Sequence, residues 1–113
     1  MPTVAELMSH YTDRVAPSAT VAEAAQLMVG AKTSSVLVVD HDQVIGIVTE
    51  GDMMHAMRQH SDRSLPITAI MTAPVHTVSA DCDFREAYRD AARHGIRHLV
   101  VADAPGLPLG VVA

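Results

Sequence analysis

The sequence predicts an α/β protein built from two copies of one small unit. Segments of the first half recur about 63 residues later, because Thr20–Ala25 matches Asp83–Tyr88 and Ser35–Asp40 matches His98–Asp103. Each copy joins an amphipathic helix pattern to β-branched, continuously apolar runs that are typical of buried strands. Neither half of the 113-residue chain is long enough to bury much core alone. We therefore expect a pseudo-twofold module whose two copies pack together, with related loops on both sides of a shared cleft.

Capping patterns predict the first two helices. Thr3-x-x-Glu6 indicates a short lead-in helix through Met8, and Thr20-x-x-Glu23 indicates a second helix after an extended stretch around Val15. The second helix has one apolar stripe at helical spacing, formed by Val21, Ala24, Ala25, Met28 and Ala31.

Two strands and a further helix complete the first copy. Residues 34–40 and Val44–Thr49 are predicted strands, joined by a tight connection at 41–43. Asp52 is well placed to cap a helix that runs through about Arg58. The order of elements in the unit is therefore β-α-β-β-α.

The second copy repeats this order after the polar stretch 59–64. Asp83-x-x-Glu86 is its capping box, and His98–Ala102 and Leu109–Val112 are its predicted strands, with a turn at 104–106. The sequence therefore predicts the same helix and strand pair in both copies.

The chain ends at Ala113, where the first copy has Thr49. We therefore expect the second copy to lack its last helix in this chain. The expected organisation is one module, with a first repeat and its lead-in helix at 1–60 and a second, truncated repeat at 61–113. Either the natural protein continues past this chain or only one site is competent, because Ala113 has no hydroxyl; we expect one competent ligand site.

Composition excludes several classes of function. The formal charge is −5, no run of Lys or Arg occurs and Lys32 is the only lysine, so general nucleic-acid binding is not expected. The single cysteine, Cys82, cannot form an internal disulfide, which fits a reducing compartment. No apolar stretch approaches the ~20 residues that span a bilayer. These features predict a cytoplasmic protein without a nucleic-acid or membrane partner.

Four stretches, in the same order as in a known family, carry a resemblance over essentially the whole chain. The doubled unit resembles a pair of CBS domains, which are named for cystathionine β-synthase. The resemblance implies a regulatory module, usually without catalysis, that binds AMP, ADP or ATP, with S-adenosylmethionine or NAD less expected, and that commonly forms dimers. The stretches are Gly46–Asp52, Thr20–Ala24, Met71–Val75 and Gly95–Val101.

The resemblance implies a ribose- and phosphate-binding role for Thr49 and Asp52. The family has Thr or Ser, two further residues and Asp at this strand end, and the sequence here is Thr49-Glu50-Gly51-Asp52. The chemistry agrees, because an ionised carboxylate accepts hydrogen bonds from vicinal hydroxyls and the following helix start favours anions. The alternative is that Asp52 only caps a helix and Thr49 only ends a strand.

Symmetry extends the candidate site to the starts of the central strands. Arg97-His98 is equivalent to Ser34-Ser35, and both pairs are expected to face the cleft. Arg97 would bind phosphate in a bidentate manner and His98 would donate a hydrogen bond. A surface ion pair for Arg97 and a satisfied, partly buried ring for His98 are the alternatives.

The lead-in to the second copy, residues 72–76, would lie beside the adenine by the same resemblance. Backbone groups around Val75 and His76 would read the base edge, and Val36 and Val75 would form apolar walls. Thr72 would add a hydroxyl or, equally, act as a turn residue.

Metal binding and catalysis are not expected. The seven histidines and the Met53–Met57 cluster could suggest a soft-metal site, but methionine in an amphipathic helix is usually a core or dimer contact. Cys82 lies between Asp81 and Asp83, and this acidic setting disfavours the reactive thiolate.

These observations predict a non-enzymatic module that senses an adenine nucleotide in the cleft between the repeats, without a required cofactor. It would transmit binding by a shift between conformations or oligomeric states, acting on a homodimer or another protein partner. The alternative is a ligand-free dimerisation or protein-interaction module. The sequence does not identify the nucleotide or the regulated process.

Overall fold

The computed structural model describes residues 2–7, 13–59, 64–96, 99–104 and 107–112. The described chain contains two three-stranded sheets, ordered β1-β2-β3 and β4-β5-β6, and the first strand of each is parallel to the second. The elements are α1 (Val4–Leu7), β1 (Arg14–Val15), α2 (Val21–Ala31), β2 (Ser35–Asp40), β3 (Gln43–Thr49), α3 (Glu50–Gln59), a 3-10 turn (Ile67–Ala69), β4 (Thr77–Ser79), α4 (Phe84–Arg93), β5 (Leu99–Ala104) and β6 (Leu107–Val112).

The internal repeat is visible in individual hydrogen bonds. The amide of Leu37 donates to the Asp13 carbonyl at 2.9 Å, and 63 residues later the amide of Val100 donates to the His76 carbonyl at 3.0 Å. Each bond joins the second strand of a sheet to the residue that immediately precedes the first strand. The two copies therefore share a backbone register as well as a sequence pattern.

The chain divides into two compact units. The central unit lies within Thr12–Pro74, and the terminal unit combines Met1–Tyr11 with Val75–Ala113. In the terminal unit, Val4 of α1 is fully buried beside α4, and its amide donates to the Cys82 carbonyl at 2.9 Å. The lead-in helix therefore packs with the second repeat, although it precedes the first in sequence. The repeat boundary at 60 and 61 stays a prediction.

The central unit buries an aliphatic core between α2 and its sheet. Thr20 caps α2 as predicted, because its hydroxyl accepts from the Glu23 amide at 3.1 Å. The helix ends at Lys32, which adopts a left-handed conformation with φ of 56°. The buried core residues are Ala19, Val21, Ala24, Met28, Val36, Val38, Val48 and Ile67.

The terminal unit follows the same plan. The Asp83 carboxylate caps α4, accepting from the Arg85 amide at 2.8 Å. Ala104 was expected in a turn but belongs to β5, because it pairs with Leu107. The end of the predicted lead-in helix at Met8, the rest of the 104–106 turn and Ala113 lie outside the described residues.

Candidate functional site

The start of α3 holds two of the predicted site residues in reciprocal contact. Asp52 Oδ2 accepts from the Thr49 amide at 2.9 Å and from the Thr49 hydroxyl at 3.1 Å. In return, the Asp52 amide donates to Thr49 Oγ1 at 3.2 Å. This is the geometry of a capping box. The prediction that Asp52 caps the helix is therefore corrected: α3 begins at Glu50, Thr49 takes the capping position and Asp52 lies in the first turn.

Thr72 approaches the same carboxylate from a distant part of the sequence. Its amide donates to the Ile47 carbonyl at 2.8 Å, and its carbonyl accepts from the Ile47 amide at 3.0 Å, so Thr72 pairs with β3. Its hydroxyl lies 3.3 Å from Asp52 Oδ1 and 3.4 Å from Oδ2. The structure thus brings together Thr49, Asp52 and Thr72.

Gly46 permits this approach. A Cβ atom at Gly46 would lie 2.9 Å from Cγ and 3.2 Å from Cβ of Met71, and closer still to the sulfur. Real Cβ contacts essentially never fall below 3.0 Å. Met71 precedes Thr72, so the absence of a side chain at Gly46 allows the chain to lie along β3.

The Asp52 carboxylate retains capacity to accept further hydrogen bonds. It is half-buried, and among the described residues Oδ1 accepts only the long bond from Thr72. An ionised carboxylate has about four lone-pair positions. Because Glu50 lies in the same first turn, the local charge favours hydroxyl or amine donors over a phosphate. This corner of the central unit is therefore suited to a diol.

Ser35 and Val36 have different surroundings. Ser35 pairs with Thr49 across the β2–β3 ladder, which places both side chains on one face of the sheet. Val36 lies on the other face, is fully buried and belongs to the core. Its predicted role as a ligand wall stays untested, and a fully buried side chain offers no surface in this conformation.

The remaining predicted site residues belong to the terminal unit or lie outside the description. Val75 and His76 are half-buried in that unit. Arg97 and His98 fall outside the described residues, so their predicted phosphate contacts stay predictions.

Asp90 and His94 lie beside the His76 ring, and the sequence analysis did not identify either of them. His76 Nε2 lies 2.9 Å from Asp90 Oδ2, and the rings of His76 and His94 have centroids 5.7 Å apart. The pKa of the Asp90 carboxyl is lowered, first by the hydrogen bond from His76 and then by the charges of nearby histidines and Arg93. The sequence does contain a signal for this cluster. Asp90 and His94 lie one helical turn apart, at positions where the first copy has the apolar residues Leu27 and Ala31.

The lowered pKa of Asp90 makes the stability of the fold depend on pH in a defined direction. Because the folded-state pKa of Asp90 lies below its ordinary value of 3.8, the ionised group stabilises the fold above about pH 4. That contribution is lost as the pH falls through the lower, folded-state pKa.

The lead-in to the first repeat has a contrasting environment. Asp13, the counterpart of His76, is buried, and its Oδ2 has no hydrogen-bond partner in the part of the chain described. The two equivalent positions therefore differ in chemistry even though their backbones make the same bond.

A separate apolar groove of about 790 Å³ lies between α2 and α3. It contains none of the predicted site residues. Its lining is mostly aliphatic and methionine-rich, with Lys32 and Glu50 among its charged members, and comprises Val21, Ala22, Ala25, Met28, Val29, Lys32, Thr33, Glu50, Met53, Met54, Ala56, Met57 and Leu65.

Several other properties bear on function. Within the described ranges, no three His, Cys, Asp or Glu residues are arranged to hold a metal ion. Burial, followed by the Glu86 and Asp83 carboxylates, raises the pKa of the Cys82 thiol. None of the described helices combines the length and the apolar character needed to cross a membrane.

The chain belongs to the CBS domain family, whose profile matches residues 4–59 and 67–113. The predicted family and the predicted α/β fold of two tandem repeats are confirmed. Proteins with CBS domain pairs are in general regulatory and not catalytic.

Three similar proteins illustrate the relationship. An uncharacterized 17.7 kDa protein of Acidianus ambivalens is 33% identical over 100 residues, which cover 88% of this chain and 60% of that protein. PAE2072 from Pyrobaculum aerophilum, a CBS domain protein complexed with AMP, has a TM-score of 0.88 at 24% identity, covering 99% of this chain and 87% of the other. The CBS domain pair of MJ0100, in complex with 5-methylthioadenosine and S-adenosyl-L-methionine, has a TM-score of 0.88 at 23% identity, covering 99% and 89%. The likeness to these two structures concerns the fold.

Proposed function

We propose that this chain is a regulatory module that binds an adenine nucleotide, with the ribose held at Asp52. The observation that carries the proposal is the meeting of Thr49, Asp52 and Thr72 at the start of α3. The Asp52 carboxylate would accept from the ribose hydroxyls, because ionised acceptors form the stronger class of hydrogen bond. The AMP and S-adenosyl-L-methionine complexes of proteins with this fold support the choice of ligand class.

The proposed mechanism acts through Thr72. A ribose hydroxyl at Asp52 would replace the long contacts of 3.3 and 3.4 Å from the Thr72 side chain. Two residues later, Pro74 ends the central unit and Val75 begins the terminal one. Ligand binding would therefore bias the conformation of the segment that joins the units, which is a shift of population and not a chemical step. Arg97 is the proposed phosphate contact.

Thermal unfolding with a ligand panel tests this function. We expect one of AMP, ADP, ATP, NADH and S-adenosylmethionine to raise the melting temperature, because a ligand that binds only the folded state stabilises it. At about 100-fold excess over Kd, one site adds about 2.7 kcal/mol. Calorimetric titration would give the stoichiometry, expected to be one per chain. If no compound shifts the melting temperature or produces binding heat, the proposal is wrong.

The α2–α3 groove favours a second candidate function, self-association of two copies. Val29, Met54 and Met57 are 78%, 59% and 68% exposed, which is a large apolar surface for a small protein. In a twofold contact the same patch faces itself, so Lys32 of one copy can meet Glu50 of the other. This charge complementarity fits a homodimer.

Replacing Met57 with lysine should weaken such a dimer. Burying an unpaired ammonium at an apolar contact is costly, and we expect the dimer dissociation constant to rise at least about tenfold, equivalent to about 1.4 kcal/mol. Sedimentation velocity measures the change. Gln59→Lys is the matched control, since Gln59 is an exposed residue of the same helix outside the groove lining. A monomeric wild type, or equal effects of both variants, would contradict self-association through this face.

A further inference from the structure

A cluster of His76, Asp90 and His94 connects the lead-in of the second repeat to α4. His76 Nε2 lies 2.9 Å from Asp90 Oδ2, and His94 Nδ1 lies 3.5 Å from Asp90 Oδ1. His94 Nδ1 is also 2.9 Å from the Asp90 carbonyl oxygen, one turn earlier on the helix. Arg93 of the same helix adds a positive charge that also lowers the pKa of Asp90. Asp90 is thus the common partner of two imidazoles.

The internal repeat shows that the fold does not require this connection. Sixty-three positions earlier, the counterparts of the three residues are Asp13, Leu27 and Ala31. Neither Leu27 nor Ala31 has a polar side chain, yet the backbone bond from Leu37 to Asp13 forms at 2.9 Å. The same strand pairing and helix are therefore built without an aspartate on the helix. Asp90 therefore adds a side-chain contact that the shared backbone arrangement does not need.

We infer that Asp90 is a positioning residue for His76, holding the imidazole and the end of the 72–76 lead-in in the orientation that the nucleotide uses. This inference rests on the proposed function, because it takes the lead-in to lie beside the adenine of the bound nucleotide, as the resemblance to CBS domains implies. Asp90 acts through His76 and does not itself touch the ligand.

The hydrogen bond to Asp90 determines the tautomer of the neutral His76 ring as well as the orientation of the ring. In a neutral ring, donation of Nε2–H to the Asp90 carboxylate leaves Nδ1 without a proton. His76 then presents a hydrogen-bond acceptor on the other side of its ring. The carbonyl of His76 is already paired with the Val100 amide at 3.0 Å, so both backbone and side chain of this residue are held. A held group loses less conformational entropy when a ligand binds.

NMR of the imidazole nitrogens, together with AMP titration, tests the inference. In its neutral form, the His76 ring of the wild type should carry its proton on Nε2, the nitrogen that lies 2.9 Å from Asp90. Asp90→Leu installs the residue of the first repeat and should give a mixture of the two tautomers. It should also raise the Kd for AMP roughly fivefold. Asp90→Asn retains an oxygen acceptor and should preserve the tautomer, with a smaller loss of affinity. Glu86→Gln, an equal charge change at an exposed position of α4, should alter neither quantity.

The outcomes separate this inference from the proposed function. If the wild type does not bind AMP or any other panel compound, the proposed function fails, and the ring tautomer still decides whether Asp90 orients His76. If AMP binds and Asp90→Leu leaves either the tautomer or the affinity unchanged, the positioning role is wrong. A loss of stability in Asp90→Leu without those two changes would mark Asp90 as purely structural and overturn the inference.

Discussion

Asp52→Ala is expected to raise the Kd for the adenine nucleotide at least about 100-fold, or about 2.8 kcal/mol. The reason is that the substitution removes the acceptor proposed for both ribose hydroxyls, and hydrogen bonds to a charged group contribute about 1.5–3 kcal/mol each. Isothermal titration calorimetry measures the change. The same variant loses the bond of 2.9 Å from the Thr49 amide, so the fold should also lose about 1 kcal/mol through the weakened helix start.

A second substitution separates the ligand effect from the structural one. Asp52→Asn keeps an oxygen that can accept from Thr49 and removes the negative charge, so we expect most of the stability to remain while affinity falls about tenfold or more. Asp42→Asn is the matched control, because Asp42 is exposed in the β2–β3 turn with φ of 64°, a conformation that Asn tolerates. It should bind like the wild type. Undiminished binding by Asp52→Ala would remove Asp52 from the site.

Gly46→Ala is expected to damage both the fold and the site. The added methyl group would lie 2.9 Å from Met71 Cγ and 3.2 Å from its Cβ, so the Met71 side chain must shift, and we expect the backbone of 71–72 to be displaced with it. Overpacking of this kind costs about 1–3 kcal/mol. Thr72 follows Met71 and pairs with Ile47, so its hydroxyl should leave Asp52 and nucleotide affinity should fall by about tenfold. Urea denaturation and nucleotide titration measure the two effects.

Gly30→Ala is a control that should raise the free energy of unfolding, whereas Gly46→Ala should lower it. Gly30 lies within α2, and a Cβ there would meet nothing within 4 Å. Alanine in a helix is favoured over glycine by roughly 0.8–1 kcal/mol, so this variant should be more stable than the wild type and bind the nucleotide equally well. If Gly46→Ala matched it in stability and affinity, the close approach of Met71 would have no functional importance.

Much of the fold could be predicted because its signals are local. The capping patterns at Thr20 and Asp83 each operate within three residues, and both form as expected. The 63-residue repeat also predicted which strands correspond, since equivalent sequences make equivalent backbone bonds. The pair of Thr49 and Asp52 was identified through the resemblance to CBS domains, which is carried by a short motif within one helical turn.

The predicted start of α3 lies three residues too late, since Asp52 was expected as the cap and Thr49 takes that place. Both Thr49 and Asp52 are good capping residues, and the pattern does not say which one the chain uses. Thr49 takes that place because its backbone still continues β3, while the Asp52 carboxylate turns back to accept from the Thr49 amide.

The sequence by itself was sufficient to predict the duplicated α/β plan, its resemblance to CBS domains and the adjacent hydroxyl and carboxylate groups of Thr49 and Asp52. Four other features could be seen only in the folded chain. They are the contact of Thr72 with Asp52, the hydrogen bond between His76 and Asp90, the burial of Val36, and the groove between α2 and α3. These features join residues 14 or 20 positions apart or depend on which face of a strand is covered. Such contacts form only when packing brings separate segments together, and no pattern of a few neighbouring residues encodes them.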